Sequence, residues 1–208
     1  MNAAETLAAL KQFLQLGPRR PRLAYDLMPT PLGPLLLAAR AEGLVLVEFV
    51  EGVAGDGRLG PRGRWGFQHE PTNGLLRQTR AELAEYFAGQ RRNFTVPLAP
   101  LGTDFQQQVW ATLQTIPYGQ TCSYKEEARR LGRPTAVRAV ANANGQNWIS
   151  ILIPCHRVIG SNGQLTGYGG GLDRKQWLLA LERGEALPPA PARWAELNAA
   201  LERERDWP

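Results

Sequence analysis

The sequence predicts an α+β protein of two units: an antiparallel-sheet module to about residue 99, then a mostly helical module containing a helix-turn-helix. Three observations predict it. Short apolar runs separated by turn residues fill the first half, apolar residues recur at helical spacing through the second, and a Gly-containing turn there joins two short helical segments. At 208 residues and 43% hydrophobic content, the chain can build one large core or two small ones. Its 21% of charged residues is that of an ordinary folded domain.

Ala4–Leu16 reads as an amphipathic helix with Leu7, Leu10 and Leu14 on one side, stopped by Gly17-Pro18-Arg19-Arg20-Pro21. Three strands are expected next, at Leu23–Leu27, Leu35–Ala39 and Leu44–Phe49. Thr30-Pro31-Leu32-Gly33-Pro34 and Glu42-Gly43 separate them, which predicts an antiparallel meander. Gly52–Gly66, rich in Gly and Arg, reads as a mobile loop, its arginines either solvated or available to nucleic acid. Leu75–Phe87 restores a helical period, Phe94–Leu98 is a further strand, and Ala99-Pro100-Leu101-Gly102 connects the units. Phe105–Ile116 is a helix with Thr103 placed to cap it and Pro117 beyond its end.

Composition excludes several classes. The net charge of +5 and pI of about 9.6 suit a polyanionic partner, as they suit many basic proteins that have none. Two cysteines, Cys122 and Cys155, and two histidines, His69 and His156, rule out a disulfide-rich scaffold and the usual tetrahedral zinc patterns. Met1–Leu16 has neither the basic start nor the unbroken apolar stretch of a secretory signal, and no run is long enough to cross a membrane. The expected setting is cytoplasmic, where a thiol stays reduced.

In the second unit, Ser123 is placed to cap a helix beginning Tyr124-Lys125-Glu126-Glu127, with Ala128 and Leu131 apolar and Gly132 at its end. Arg133-Pro134 restarts the chain, proline being well tolerated at a first helical position, and Thr135–Ala143 follows as a second helix. This second helix is built from Ala136, Val137, Ala139, Val140, Ala141 and Ala143 around one strong charge, Arg138. Small side chains allow close approach to a DNA groove, with the arginine entering the base stack or reaching phosphate. A tightly packed helix pair with a solvent-facing arginine fits equally well.

Ile149-Ser150-Ile151-Leu152-Ile153 is an apolar, β-branched run expected as a buried strand, leading into Pro154-Cys155-His156-Arg157-Val158. A lone cysteine in such a place is ordinarily a small hydrophobe. Here Pro154 fixes the backbone before the sulfur, His156 offers a base, and Arg157 offers charge favouring thiolate. Neighbours on a straight strand point opposite ways, so Cys155 and His156 cooperate only where the chain turns, or through water. Asp173 with Gln176 predicts the cap of a helix Arg174–Arg183, striped by Trp177, Leu178 and Leu181. Glu182 lies beside that stripe and either pairs with His156 or swings to solvent. Gly167-Tyr168-Gly169-Gly170-Gly171 lacks the features of a phosphate loop and reads as a bend of close backbone approach, with Tyr168 walling a pocket or simply packing.

Ile151–Val158, centred on Pro-Cys-His-Arg-Val, resembles the signature of the O6-alkylguanine-DNA alkyltransferases. The likeness extends in register through Phe105–Trp110, Tyr118-Gly119, Ser123-Tyr124, Arg138-Ala139-Val140, Asn147, Thr166–Gly171 and Trp177–Glu182. The first module resembles the family's N-terminal, RNase H-like domain from about Leu23. The resemblance implies an N-terminal extension at 1–22, an α+β domain at 23–99, a DNA-binding and alkyl-acceptor domain at 103–187, and a tail at 188–208. It implies that Cys155 accepts the alkyl group irreversibly, that His156 deprotonates it through a water, and that Glu182 orients His156. Tyr124 would press on the phosphate beside the lesion and help protonate the leaving guanine, and Asn147 would brace the link from recognition helix to cysteine loop. Val158, Tyr168, Gly169 and Lys175 would form the guanine pocket. Arg138 would fill the gap left by the extruded nucleotide, with Arg133, Thr135, Ala136, Ala139 and Ser161 also on DNA. The implied partner is double-stranded DNA carrying O6-alkylguanine or O4-alkylthymine, with no membrane, metal or cofactor. A monomer is expected, with cooperative binding on DNA left open.

Two departures stand out. Trp148 follows Asn147 where many relatives carry proline, which would reshape the mouth of the loop. Gly169 replaces a larger residue of some members, which would admit bulkier alkyl groups. The tail's Trp194, Leu197 and Leu201 suggest a short amphipathic helix. The competing readings are a non-catalytic sensor of alkylated DNA, a transcription regulator using the helix-turn-helix, and a cysteine hydrolase, which would need an oxyanion site.

Overall fold

The computed structural model describes residues 1–15, 22–55, 66–204 and 206–208. They divide into two compact units, one made of Met1–Ala88, Thr95–Ala99 and Pro189–Pro208, the other of Gly89–Phe94 and Pro100–Pro188.

The first unit is built on a four-stranded sheet ordered β3-β2-β1-β4. β1 (Arg22–Met28), β2 (Leu35–Arg40) and β3 (Gly43–Phe49) form the expected antiparallel meander. β2 is buried along nearly its whole length, so its run of Leu35, Leu36, Leu37, Ala38 and Ala39 carries no alternation. The hairpin between β1 and β2 closes at Gly33, whose φ of 87° places its N–H on the Thr30 carbonyl. β4 (Gly66–His69) joins the outer edge of β1 in parallel, a strand the sequence pattern did not disclose. Its Phe67 packs against Phe13 and Tyr25 at ring separations of 5.1 and 6.1 Å.

Helices cover the sheet. α3 (Gly74–Phe87), capped by the Asn73 side chain, lies against β1, β2 and β3. α1 (Ala3–Gln15) buries Leu7, Leu10 and Leu14, and α8 (Ala192–Arg203) buries Trp194, Leu197 and Leu201; the two helices pack on each other. Lys11 pairs with Glu204 at 2.9 Å and lies over the Trp207 ring, while Tyr25 Oη donates to the Pro208 carbonyl at 2.6 Å. Part of the expected loop at Gly52–Gly66 is ordered as α2 (Val50–Gly55), with Gly66 opening β4; positions 56–65 lie outside the described residues.

The strand expected at Phe94–Leu98 shrinks to one parallel bridge between Leu98 and Leu44. Pro97 has no N–H for a ladder, and the N–H groups of Thr95 and Val96 are taken by the Glu82 carboxylate at 2.7 and 3.4 Å. The bridge runs so close that a side chain at Gly43 would meet the Pro97 carbonyl at 2.6 Å.

The second unit is helical. α4 (Asp104–Leu113) starts at a capping box in which Thr103 and Gln106 satisfy each other's backbone N–H. α5 (Tyr124–Arg130) is capped by Ser123, and Gly132, at φ 74°, follows its end. α6 (Val137–Gly145) begins two residues later than expected, because Pro134 sits inside a turn closed by Ala136 N–H on the Arg133 carbonyl. Trp110 Nε1 donates to the Ala143 carbonyl at 2.9 Å and ties α4 to the end of α6. α7 (Leu172–Arg183) is buried at Trp177, Leu178, Leu179 and Ala180. Its cap is Gly171, at φ 92°, so Asp173 is already inside the first turn and the capping box expected there does not form.

Candidate active site

The run before the cysteine is buried as expected, yet it is not a strand. The chain folds back on itself: Ile153 N–H bonds to the Ile149 carbonyl at 3.0 Å and Cys155 N–H to the Ile153 carbonyl at 2.9 Å. Ile151 sits at φ 73°, a left-handed conformation that for a β-branched residue costs on the order of 1–3 kcal/mol. Asn147 holds the strained turn. Its Oδ1 accepts from Ile149 N–H at 3.1 Å, and its Nδ2 donates to the Ile153 carbonyl at 2.8 Å and to Cys155 Sγ at 3.2 Å. One side-chain amide supplies the bonds that a neighbouring strand would have supplied.

Cys155–Arg157 then forms a single 3-10 turn, followed by β6 (Val158–Ile159), which pairs in parallel with β5 (Cys122–Ser123). The chain therefore turns at Cys155 and His156, the condition under which the two can act together. Cys155 is 7% exposed.

His156 is fully buried, with Nε2 2.8 Å from Glu182 Oε1. Arg157 grips the same carboxylate in two places, Nε on Oε2 and Nη2 on Oε1, each at 2.9 Å. Gly119 N–H donates to Oε2 at 3.0 Å, and Arg157 Nη1 donates to the Ile116 carbonyl at 2.6 Å. Burial acts to raise the Glu182 carboxyl, but the bonds and charges of His156 and Arg157 outweigh it and hold it well below the usual range. Burial pushes His156 down, with Glu182 pulling the other way. A neutral imidazole beside a carboxylate carries its proton on Nε2, which leaves Nδ1 as an acceptor, and Nδ1 has no hydrogen-bond partner among the described residues.

The sequence placed Arg157 as the charge favouring thiolate; the structure commits its guanidinium to Glu182 instead. The cation beside the sulfur is Lys175. It is buried, and its Nζ donates to the carbonyls of Val158 at 2.5 Å and Thr166 at 2.6 Å. Burial pushes its ammonium down to about 8 while the Cys155 sulfur pulls it up, so it remains largely charged at neutral pH. Tyr124 Oη donates to the same bend, to the Gly167 carbonyl at 3.2 Å and the Thr166 carbonyl at 3.4 Å. Burial raises the Tyr124 phenol, as does the nearby Cys155 sulfur. Val158 is buried; Tyr168 and Gly169 are half-buried, the Tyr168 ring standing edge-on to His156 at 6.4 Å. Trp148, also half-buried, follows Asn147 directly.

Of the residues expected on DNA, Tyr124 belongs to this cluster, and the others are exposed or half-buried. Arg138 and Ala139 are exposed on α6, Thr135 is exposed and Ala136 half-buried just before it, and Ser161 is exposed in the turn between Gly160 and Gln164. Arg133 lies over the Phe105 ring at 5.3 Å and donates to Gln108 at 3.3 Å.

Comparison with known proteins decides the family. Residues 23–100 match the family model described as the 6-O-methylguanine DNA methyltransferase ribonuclease-like domain, and residues 104–184 match that of the same enzyme's DNA binding domain. The chain belongs to the 6-O-methylguanine DNA methyltransferase family. Among its relatives, the methylated-DNA–protein-cysteine methyltransferase of Methanosarcina acetivorans is 46% identical over 158 residues, covering 76% of this chain and 97% of that one. The Mycobacterium leprae protein of the same name is 46% identical over 160 residues, covering 77% and 92%. The crystal structure of Mycobacterium tuberculosis O6-methylguanine methyltransferase superposes with a TM-score of 0.68 at 44% identity, covering 82% of this chain and 97% of that one. The same protein solved in complex with DNA gives 0.68 at 44%, covering 84% and 98%.

In this methyltransferase, sequence reasoning missed the double grip of Arg157 on Glu182 and the Gly119 bond that completes it. One signal was available. A neutral histidine cannot balance a buried carboxylate, so a cation had to stand nearby. No helix of the described residues is long and apolar enough to cross a membrane.

Proposed function

We propose that this methyltransferase repairs duplex DNA by moving the alkyl group of O6-alkylguanine onto Cys155, irreversibly and once per protein molecule. The reading rests on the chain of bonds that ends at the histidine next to Cys155. Arg157 and Gly119 hold Glu182, Glu182 holds His156, and Nδ1 is left open, the nitrogen that would reach the thiol through a water. His156 takes the thiol proton, while the Asn147 amide and the Lys175 ammonium favour the resulting thiolate. The sulfur attacks the sp³ carbon, the S–C bond forms as the C–O6 bond breaks, and the electron pair passes into the purine. Tyr124 supplies a proton there and regains one from the pool that received the thiol's. The thioether resists water, so the protein acts once.

Cys155 is 7% exposed, so its sulfur cannot reach guanine O6 while the base stays stacked, and the lesion must leave the duplex. Arg138, exposed on α6, fills the gap. Tyr124 presses on the adjoining phosphate, and Arg133, Thr135, Ala136, Ala139 and Ser161 contact the strand. Val158, Tyr168, Gly169 and Lys175 shape the base pocket, and the small Gly169 leaves room for groups larger than methyl. The protein works in the cytoplasm as a monomer.

The test is intact mass spectrometry after incubation with excess duplex containing O6-methylguanine, with O4-methylthymine duplex and free O6-benzylguanine as further arms. The expected outcome is a single added alkyl group, absent in Cys155→Ala. Tight lesion binding with no mass change would convert the reading to a non-catalytic sensor. Arg138→Ala is expected to slow duplex repair by about tenfold or more, the scale of one lost interaction of 1.4 kcal/mol, while sparing the free-base reaction; equal losses on both would make Arg138 a support of the fold.

A further inference from the structure

One buried acid has no role in the site above. Glu127, on α5, is completely buried. Its Oε2 accepts from Asn144 Nδ2, on α6, at 2.6 Å, while its Oε1 and the Asn144 Oδ1 are both buried without a hydrogen-bond partner among the described residues. The two unpaired atoms are both acceptors and they flank the same bond. A proton on Oε1 is the missing donor: it lets the acid donate to Oδ1 while the amide donates to Oε2, a closed acid–amide pair that gives both orphaned oxygens a partner.

Among the described residues no cation holds Glu127 ionised; the Asn144 bond alone favours the charged form, and burial outweighs it. Asn144 comes from α6, Cys122 from β5 and Tyr124 from its own helix; α4 and β6, also packed on α5, place no charge against it among the described residues. We propose that Glu127 and Asn144 form a proton-carrying positioning pair that fastens the helix of Tyr124 to the recognition helix and so governs alkyl transfer from duplex DNA. The inference rests on the reading of the site given above. Burial pushes the Glu127 carboxyl up to about 7, with the Asn144 bond acting the other way, so the proton is held through mildly acid pH and lost above neutrality.

The placement gives the pair its leverage. Glu127 lies on the face of α5 that carries Tyr124, one turn away. Asn144 lies in the last turn of α6 and its carbonyl accepts the N–H of Asn147, whose amide touches the sulfur. Ionising Glu127 puts an unpaired charge between the two helices and loosens the side of the site that meets DNA.

The experiment measures alkyl transfer from O6-methylguanine duplex and from free O6-benzylguanine across a pH series spanning neutrality, in the wild type and in Glu127→Gln. Glutamine reproduces both bonds of the protonated pair and cannot ionise. The titrations of His156 and Lys175 are common to the two proteins and cancel. The ratio of duplex to free-base rate in the wild type is expected to fall relative to the variant by up to about tenfold for each pH unit above the Glu127 midpoint, with the two proteins alike on the acid side. Parallel ratio profiles would overturn the proposal. So would a glutamine variant that fails on the duplex at mildly acid pH while remaining folded by circular dichroism. Asn144→Ala, which removes the partner without touching the acid, is expected to lower the duplex rate at every pH; a wild-type ratio profile in that variant counts against the pair. If no alkyl group reaches Cys155 in any arm, the functional reading itself fails, an outcome distinct from all of these.

Discussion

Glu82 in the first unit and Glu182 in the second are both buried carboxylates, and they do opposite things. Glu82 is surrounded by neutral donors: Thr95 through its N–H and hydroxyl, Val96 N–H, and Gln78 Nε2 at 2.8 Å. Burial acts to raise it and those bonds lower it. Among the described residues it fastens one stretch of chain, Thr95–Val96, to α3. Glu182 is met by a guanidinium and an imidazole, and the imidazole passes the polarisation on to an open nitrogen. A buried acid is thus no sign of chemistry by itself. What separates the two is whether the hydrogen-bond chain closes or ends at a group that can still exchange a proton.

Glu182→Gln tests the open chain and is expected to have the largest effect. It leaves Arg157 buried without its counter-charge, which costs about 3–5 kcal/mol of stability, and loosens His156, slowing transfer by on the order of 10²–10⁴-fold. Denaturant melts and the transfer rate at a permissive temperature read the two parts separately. A variant with normal rate would make Glu182 a fastener like Glu82. Glu82→Gln should cost about 2 kcal/mol through weakened charge-assisted bonds, with the transfer rate unchanged; a rate loss in folded protein would break the distinction. The smallest expected effect is on acidification. Both carboxyls are lowered in the folded state, so the native protein binds fewer protons than the unfolded one. Their stabilisation is complete above the ordinary carboxylate value and is lost as pH falls through the lowered one. The stability gap between wild type and Glu82→Gln should therefore close in acid, and a gap that persists would mean the cost came from packing.

Much of this was legible in the chain. The caps at Thr103 and Ser123, the meander and the cysteine–histidine neighbours rest on local signals, a hydroxyl before a helix or a period in apolar residues, while the Glu182 pairing, left open by its own helix, came from the family resemblance. The failures share a cause. Ile149–Ile153 has the composition of a strand, but its bonds go to the Asn147 side chain. Phe94–Leu98 has the composition of a strand, but Glu82 takes its N–H groups. In both cases a distant or laterally placed side chain outcompeted a backbone partner, and no propensity records that. β4 escaped because four residues with one large apolar side chain set no period, and its partner Arg22–Tyr25 lies far away in sequence. Arg157 was read by its proximity to the sulfur in the chain; in space it faces Glu182.

The pairing of α1 with α8 bears on how the molecule is made. Both helices lie outside the stretches that match the family domains, and the first unit contains the beginning of the chain together with Pro189–Pro208. During synthesis α1 can settle against α2 and β4 early, but the first unit stays incomplete until α8 has been made, whereas the second unit can be complete before it. The order of synthesis and the order of folding are thereby reversed, the domain begun first being finished last.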